Sequence, residues 1–465
     1  MVRPVASSRD DEIVRDRWGE RLPRKLGLGS ASAFVITATI GAGIFRVPAT
    51  VASELRDPGP VLLAWLLGAA ITLCGALSLA ELGAAFPRSG GLFAFMFEAY
   101  GPLPAFAYGW AELTVIGPAS MAAVATIFAE YLGYFLPLGE WGVRAVAAGA
   151  LFSVGLLNYL GVRPATFVNS LTTAAKYGGL LILVVLAFAA GNGSADHFLP
   201  LWTGGVRSSI FVSALVAVMF CYDGWADLVR VAGEVEQPEK NLPRALLLGS
   251  ALIAFIYLAV NLAYIYLVPL SEMAGARLIA ALTAERIRVL GQSGAAVIAA
   301  LVMISSFGNI AAGATSWPRT QFAMADRGQF IAALARVSPR FKSPSIAIWV
   351  VTAFCVAYAL VGGFQQLAER FILGLWPFYA LDVVAVFVLR RRRPDLARPY
   401  RVVGYPIVPI FFLLASAALI LNALWTDPLN TAITFAIASS GIPVYLLRKQ
   451  FLSSRASAKA PLRRA

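Results

Sequence analysis

Apolar residues run along this chain in long stretches separated by short polar links. Twelve stretches reach or approach the roughly 20 residues of helix that cross a bilayer: 28–50, 59–86, 102–136, 143–160, 165–190, 208–233, 244–269, 292–323, 345–363, 367–390, 405–424 and 430–448. The pattern predicts an all-α integral membrane protein with twelve transmembrane helices. Two of the twelve are interrupted. Gly41-Ala42-Gly43-Ile44-Phe45 lies in the middle of the first, and Tyr222-Asp223-Gly224-Trp225 lies inside the sixth. Each interior glycine costs about 1 kcal/mol of helix relative to alanine. In lipid, non-helical backbone is tolerated only where protein buries it or where it lines a cavity.

The breaks divide the first ten spans into two groups of five, 28–190 and 208–390. Repeats with an odd number of spans have opposite orientations, so a five-plus-five inverted repeat is expected, with helices 1 and 6 broken. The symmetry lies in the pattern of breaks, not in residue identity. Spans 11 and 12, within 405–448, are accessory, and the tails 1–27 and 449–465 are polar. The link from Glu234 to Arg244 carries Pro238 and Pro243, which end span 6 and start span 7. The segment 324–344 does the same between spans 8 and 9. Interrupted spans in corresponding halves point to a transporter's binding site. The plainer alternative is a pair of kinked helices without a ligand.

Composition narrows the class. Of the 465 residues 59% are hydrophobic and 14% charged, where a soluble domain carries about a quarter charged residues. The net charge of +13 invites a nucleic-acid reading, but its distribution argues against one. With the N-terminus inside, 28 of the 38 lysines and arginines fall on cytoplasmic segments, 7 on outer ones and 3 within spans (Arg46, Lys176 and Arg230). That is the positive-inside bias, and it places both termini in the cytoplasm. The basic run Arg390–Arg393 then anchors span 10 at the inner face. Residues 1–27 hold no short apolar core, so no cleavable signal peptide is expected. Cys74, Cys221 and Cys355 all fall within spans, which implies no disulfide. His197, the single histidine, sits in an outer loop. No metal site or cofactor is expected, and no nucleophile–base pair points to an enzyme.

Unwinding at Gly41-Ala42-Gly43 frees backbone N–H groups at the start of a half-helix, a site suited to a carboxylate. The carbonyls that end the inner half-helix, from Thr37 to Ile40, suit a cation. A small zwitterion such as an amino acid offers both charges a short distance apart. Ile40, Gly41, Ala42, Gly43 and Ile44 are therefore candidate binding residues. At the second break the carbonyls of Phe220 and Cys221 are placed to receive an ammonium. Asp223, directly before Gly224 and Trp225, reads as a cap of the second half-helix; facing the ligand or taking part in proton coupling is the other reading. Phe220 and Trp225 are gate or wall candidates, against ordinary aromatic packing. Lys176 falls about eleven residues into span 5, near mid-membrane at about 1.5 Å per residue. An ammonium there is functional by default, as a fixed cation or a titrating proton carrier, unless it snorkels to an interface. Ser305 and Ser306 in span 8 offer it hydroxyls, or serve as helix–helix glue. Thr37, Ile116, Ser120 and Asn309 are further pocket or gate candidates. Glu81 and Glu98 are expected near the inner ends of spans. Arg46, Glu112 and Asp382 receive no role.

Taken in order, several motifs resemble the amino acid–polyamine–organocation (APC) superfamily, and most closely its L-type amino acid transporter-like bacterial permeases. They are Gly41-Ala42-Gly43-Ile44-Phe45, Tyr222-Asp223-Gly224-Trp225, Ala232-Gly233-Glu234-Val235 with Pro238 to Arg244, Pro318-Arg319, and Arg392-Arg393-Pro394-Asp395-Leu396 with Arg398-Pro399-Tyr400-Arg401 and Gly404-Tyr405-Pro406. The resemblance covers about residues 25–450. It implies the fold of the bacterial leucine transporter (LeuT), with the substrate carboxylate on Gly41, Ala42 and Gly43 and the amino group on Phe220, Cys221 and Asp223. It also implies that Lys176 stands where sodium-coupled relatives hold an ion, in contact with the Gly41 region and Ser305 or Ser306. The motif's usual central serine is Ala42 here, so one hydroxyl is lost while the amides remain. The loop 137–142 lacks the cysteine that joins animal L-type transporters to a heavy chain, so no disulfide-linked heavy chain is expected. The implied activity is transport of amino acids, expected to be neutral L-amino acids, across the bacterial inner membrane by alternating access. Proton symport and substrate exchange both stay open. Carriage of cationic amino acids or polyamines is the alternative within transport, and a non-transporting amino acid sensor the alternative outside it. The particular amino acid and the oligomeric state are not legible.

Overall fold

The computed structural model describes residues 24–88, 90–160, 163–326, 328–341 and 343–459, with backbone alone for 163–176 and 451–459. Among these residues the chain is helical throughout, with two isolated bridges and no strand. Eight helices are long and apolar enough to cross a membrane: Pro58–Ala85, Pro102–Leu132, Glu140–Leu160, Pro238–Leu267, Gly291–Asp326, Phe364–Arg392, Ile407–Thr426 and Pro428–Gln450. Three further apolar runs fall short of that length for physical reasons. The runs 28–50 and 208–233 are broken, and Ser345–Val361 has 17 residues. Arg163–Ala190 is a 28-residue helix whose first half lies outside the described side chains.

Leu28–Thr39 ends where Ile40 turns extended (φ −71°, ψ 90°). A single 3-10 turn, Gly43–Phe45, follows, and helix resumes at Val47–Leu55. Ser208–Tyr222 ends where Asp223 turns extended (φ −71°, ψ 157°), and only the short helix Asp227–Arg230 follows. Gly224 sits at φ +110°, a backbone region open to glycine and strained for other residues. A Cβ added there would lie 2.5 Å from the carbonyl oxygen of Ala38. The two breaks are therefore packed directly on each other.

Two local features differ from the sequence reading. The helix Pro238–Leu267 starts inside the expected 234–244 link: Pro238 occupies the first helical turn, where a missing N–H costs nothing, and Pro243 lies one turn further in. A short helix, Gly91–Tyr100, fills the connection after Pro58–Ala85. The helix Pro102–Leu132 contains a π-helical stretch, Glu112–Ile116, with Pro118 just after it. Such bulges cluster at functional sites.

The outside of the bundle is apolar. On Pro238–Leu267, Leu248, Leu252 and Phe255 face outward, while Tyr257, Asn261 and Tyr264 are buried. This inverts the soluble arrangement, as lipid contact requires. On the face that holds both ends of the described chain, Glu81 takes Arg390 in a two-pronged bond (2.8 and 2.5 Å) and accepts the Val402 N–H at 2.7 Å. Arg393 and Arg88 both pair with Glu98. The basic run at 390–393 thus contributes side chains that clamp helices together. On the same face the backbone at Lys25 and Leu26 bonds to Glu234, tying the chain's start to the end of the second broken segment.

Candidate functional site

The breaks form the buried centre of the bundle. Ile40, Ala42 and Ile44 are fully buried, as are Cys221 and Trp225 within a few per cent. A Cβ on Gly43 would lie 2.8 Å from Cys221 Sγ and 3.2 Å from the Phe220 ring, so glycine is what lets the two segments meet. A Cβ on Gly41 would lie 3.8 Å from Asn309 Nδ2, which brings Gly291–Asp326 to the same point. The first break is closed by Phe45 N–H to Ala42 O and Arg46 N–H to Gly43 O, while the N–H groups of Gly41 and Ala42 make no backbone bond among the described residues.

Tyrosines staple this irregular backbone. The Tyr257 hydroxyl is shared between Cys221 O (2.9 Å) and Thr39 O (3.2 Å), one carbonyl from each break. Tyr264 donates to Ile44 O at 3.4 Å and Tyr131 to Phe45 O at 2.8 Å. The Cys221 carbonyl is therefore already engaged. Asp223 does not cap the second half-helix: that helix begins at Asp227 with Ala226 in the capping position and no side-chain cap. Its carboxylate instead accepts the Tyr379 hydroxyl at 2.8 Å. Extended backbone at Asp223 and a turn through Gly224 carry the chain three residues further before helix resumes, out of capping reach. Trp225 packs with its ring tilted against Tyr379 (5.3 Å between rings), and Phe220 packs edge-on to Phe364 and Phe371.

Around this centre, buried polar groups converge without partners. Among the described residues, the hydroxyls of Thr39, Ser305 and Ser306 and the Asn309 amide nitrogen make no hydrogen bond. Ser305 and Asn309 are four residues apart and share a helix face. Native structures rarely leave such groups unpaired, and a ligand is one way to satisfy them. Thr37 is half-buried beside the Tyr177 hydroxyl, so Arg163–Ala190 borders the first break. The Lys176 side chain lies outside the described residues. Of the remaining candidates, Ile116 packs against Gly374 and Ser120 is half-buried one turn further along the same helix.

A charged cluster flanks the breaks on each side. Beyond the first break, Arg46 Nε meets Glu130 Oε2 at 2.9 Å, bonds Thr50, and lies over the Phe364 ring. This pair floors a cavity of about 380 Å³ that Arg144, Arg277 and Gln365 also line. Beyond the second break, towards the face of the chain ends, Arg230 pairs with Glu112 and with Asp227 (2.9 Å). Tyr108 accepts from Arg230 (2.8 Å), and Gln321 donates to Glu112 (3.3 Å). Side chains from three long segments are thus knotted together. Neither Arg46 nor Glu112 has a role that reading the chain alone assigns. The signal was present in their type: an ionisable residue within an apolar span implies a partner, and each arginine follows a break.

These features meet those of a known group. The family profile described as amino acid permease matches residues 26–447. The chain belongs to the amino acid permease family. It is similar to the serine/threonine exchanger SteT of Bacillus subtilis (strain 168), 32% identical over 426 residues that cover 91% of this chain and 96% of that protein. It is also similar to the human b(0,+)-type amino acid transporter 1, 29% identical over 88% of this chain and 84% of the relative. The human cystine/glutamate transporter is 29% identical over 92% and 85%. The family expected from the sequence motifs is the family found.

Proposed function

We propose that this permease exchanges small neutral L-amino acids across the bacterial inner membrane by alternating access. The observation that carries the reading is the pair of mutually packed helix breaks, with N–H groups free of backbone partners and unpaired hydroxyl and amide groups beside them. A substrate carboxylate takes the N–H groups of Gly41 and Ala42, where helix resumes and its dipole is positive. The ammonium lies near Ile40, after the inner half of span 1, and Phe220, in the last turn of the outer half of span 6. A neutral side chain fits best, because Asp223, the acid at the break, is already held by Tyr379. Similarity to a serine/threonine exchanger over nearly the whole of both chains supports exchange.

In this reading the chain has twelve spans in a five-plus-five inverted repeat, 28–190 and 208–390, with both termini cytoplasmic. The Arg230–Glu112–Asp227 cluster closes the cytoplasmic side and Arg46–Glu130 the outer side. Lys176 acts as a fixed cation towards Gly41 and Ser305. The test is uptake of labelled serine, threonine, alanine and leucine into proteoliposomes. Uptake that requires unlabelled substrate inside supports exchange. Accumulation driven by a pH gradient into empty vesicles would replace exchange with symport. Binding without flux under either condition would replace the carrier with a sensor.

A further inference from the structure

Asp382 stands apart from every other acid in the bundle. It is fully buried in Phe364–Arg392, about 15 Å along the helix axis from Arg392. Neither carboxyl oxygen has a hydrogen-bond partner among the described residues, and no described cation pairs with it. An unpaired carboxylate at membrane depth is among the costliest groups a chain can hold, and such residues mark ion or proton pathways. A neutral carboxylic acid removes most of that cost.

The groups around it are accounted for. On its own helix, Tyr379, one turn away, holds Asp223. From Gly91–Tyr100, Tyr100 donates to Leu381 O at 2.6 Å. From Pro102–Leu132, the Tyr108 ring packs on Phe378 while its hydroxyl joins Arg230 and Glu112. Further along that helix, Glu130 is paired with Arg46 in the other half of the bundle. Asp227, beyond the second break, is held by Arg230. From Pro58–Ala85, Glu81 is taken by Arg390. Ser208–Tyr222 meets the helix through Phe220, its Cys221 and Tyr222 being turned to Gly43 and to Trp65 and Tyr257, while Ile407–Thr426 and Pro428–Ser439 contain no charged residue. Beside the Tyr108–Arg230–Glu112 knot, Asp382 is therefore the acid with neither a counter-charge nor a hydrogen bond among the described residues.

We propose that Asp382 binds a proton whenever the knot is closed and exchanges it with the cytoplasm when the knot parts. Opening admits water to Asp382 and frees Arg230, and both favour the ionised form. Reclosing then requires the proton back. The inference rests on the transport reading above and adds a proton-dependent step to it.

The experiment is serine counterflow in proteoliposomes as a function of internal pH, for the intact protein and for Asp382→Asn, which mimics the protonated acid. Expected is a decline of exchange of at least tenfold as internal pH rises, and a flat profile at the low-pH rate in Asp382→Asn. Equal pH dependence in both proteins overturns the proposal while leaving exchange intact. Absence of counterflow in the intact protein at every pH instead overturns the transport reading. If Asp382→Asn does not fold, infrared spectra of the intact protein decide, with and without ¹³C-aspartate. A protonated-carboxyl band that shifts with the label, resists alkaline buffer and persists in Asp223→Asn supports the proposal. Its absence overturns it.

Discussion

Replacing Glu112 by glutamine tests whether the knot beyond the second break holds the cytoplasmic side shut. The glutamine keeps the volume and the bond from Tyr108, and keeps a bond to Gln321 once that amide turns its free Oε1 to the new NH2, but it removes the charge that Arg230 meets. A hydrogen bond to a charged group contributes about 1.5–3 kcal/mol and a neutral one about 0.5–1.5, so the loss is about 1–2 kcal/mol. The larger cost of breaking a buried pair, about 3–5 kcal/mol, does not apply, because Arg230 keeps Asp227 at 2.9 Å and is a quarter exposed. If the closed state alone contains these contacts, its population falls by a factor of about 5–30. Cys221 at the centre is the reporter, since it is buried while both sides are shut. In a background of Cys74→Ser and Cys355→Ser, Glu112→Gln should speed alkylation of Cys221 by an impermeant maleimide about 5–30-fold from the cytoplasmic face. The matching change Glu130→Gln should do so from the outer face. An unchanged rate in a protein of unchanged thermal stability, or acceleration from the wrong face, would refute the gating argument.

Two other substitutions address the packing of the breaks. Gly224→Ala places a Cβ 2.5 Å from Ala38 O at φ +110°, so it should lower the detergent unfolding temperature by an amount matching about 1–3 kcal/mol and reduce counterflow at least tenfold; thermal scans with flux measurements check it. Gly43→Ala should raise the KM for exchange about tenfold through the contact with Cys221 Sγ at 2.8 Å, and adding Cys221→Ala should recover part of that loss, leaving the Phe220 contact at 3.2 Å. No recovery would mean that the glycine is needed for its backbone alone.

The breaks were legible because their signal is local: glycines interrupt an apolar run, and no long-range knowledge is needed to see it. Membrane class and family were legible for the same reason, through run length and ordered motifs. The ion pairs flanking the breaks were not, since Arg230 and Glu112 are 118 positions apart and Arg46 and Glu130 are 84 apart. A chain read in one dimension shows four costly charges but not their pairing. Asp223 was misjudged for a related reason. Its spacing suits a cap, but Gly224 at positive φ displaces the helix start, and a tyrosine 156 positions away supplies the bond instead. The start at Pro238 was hidden by composition, because a polar stretch with two prolines reads as a link until packing against Pro58–Ala85 and Leu28–Thr39 makes it helical.

The arrangement of the closures bears on mechanism. Both arginines follow a break, one in each half, and both find a glutamate on the same helix, Pro102–Leu132. Glu112 and Glu130 are 18 residues apart there, about 27 Å along the axis. One helix thus carries the acceptor for each side, and the segments after the two breaks can dock on it independently. Both pairs are formed in this structure, and the centre between them is buried. The π-helical stretch begins at Glu112 itself. Eighteen residues of regular α-helix make about five turns and would return Glu130 to the face of Glu112, and the π-helical stretch between them shifts that register. A single long element with two charged ends separates the closures far enough that one side can release while the other stays latched. Exchange without leak requires that separation, and a carrier whose two closures shared one acidic residue would lack it.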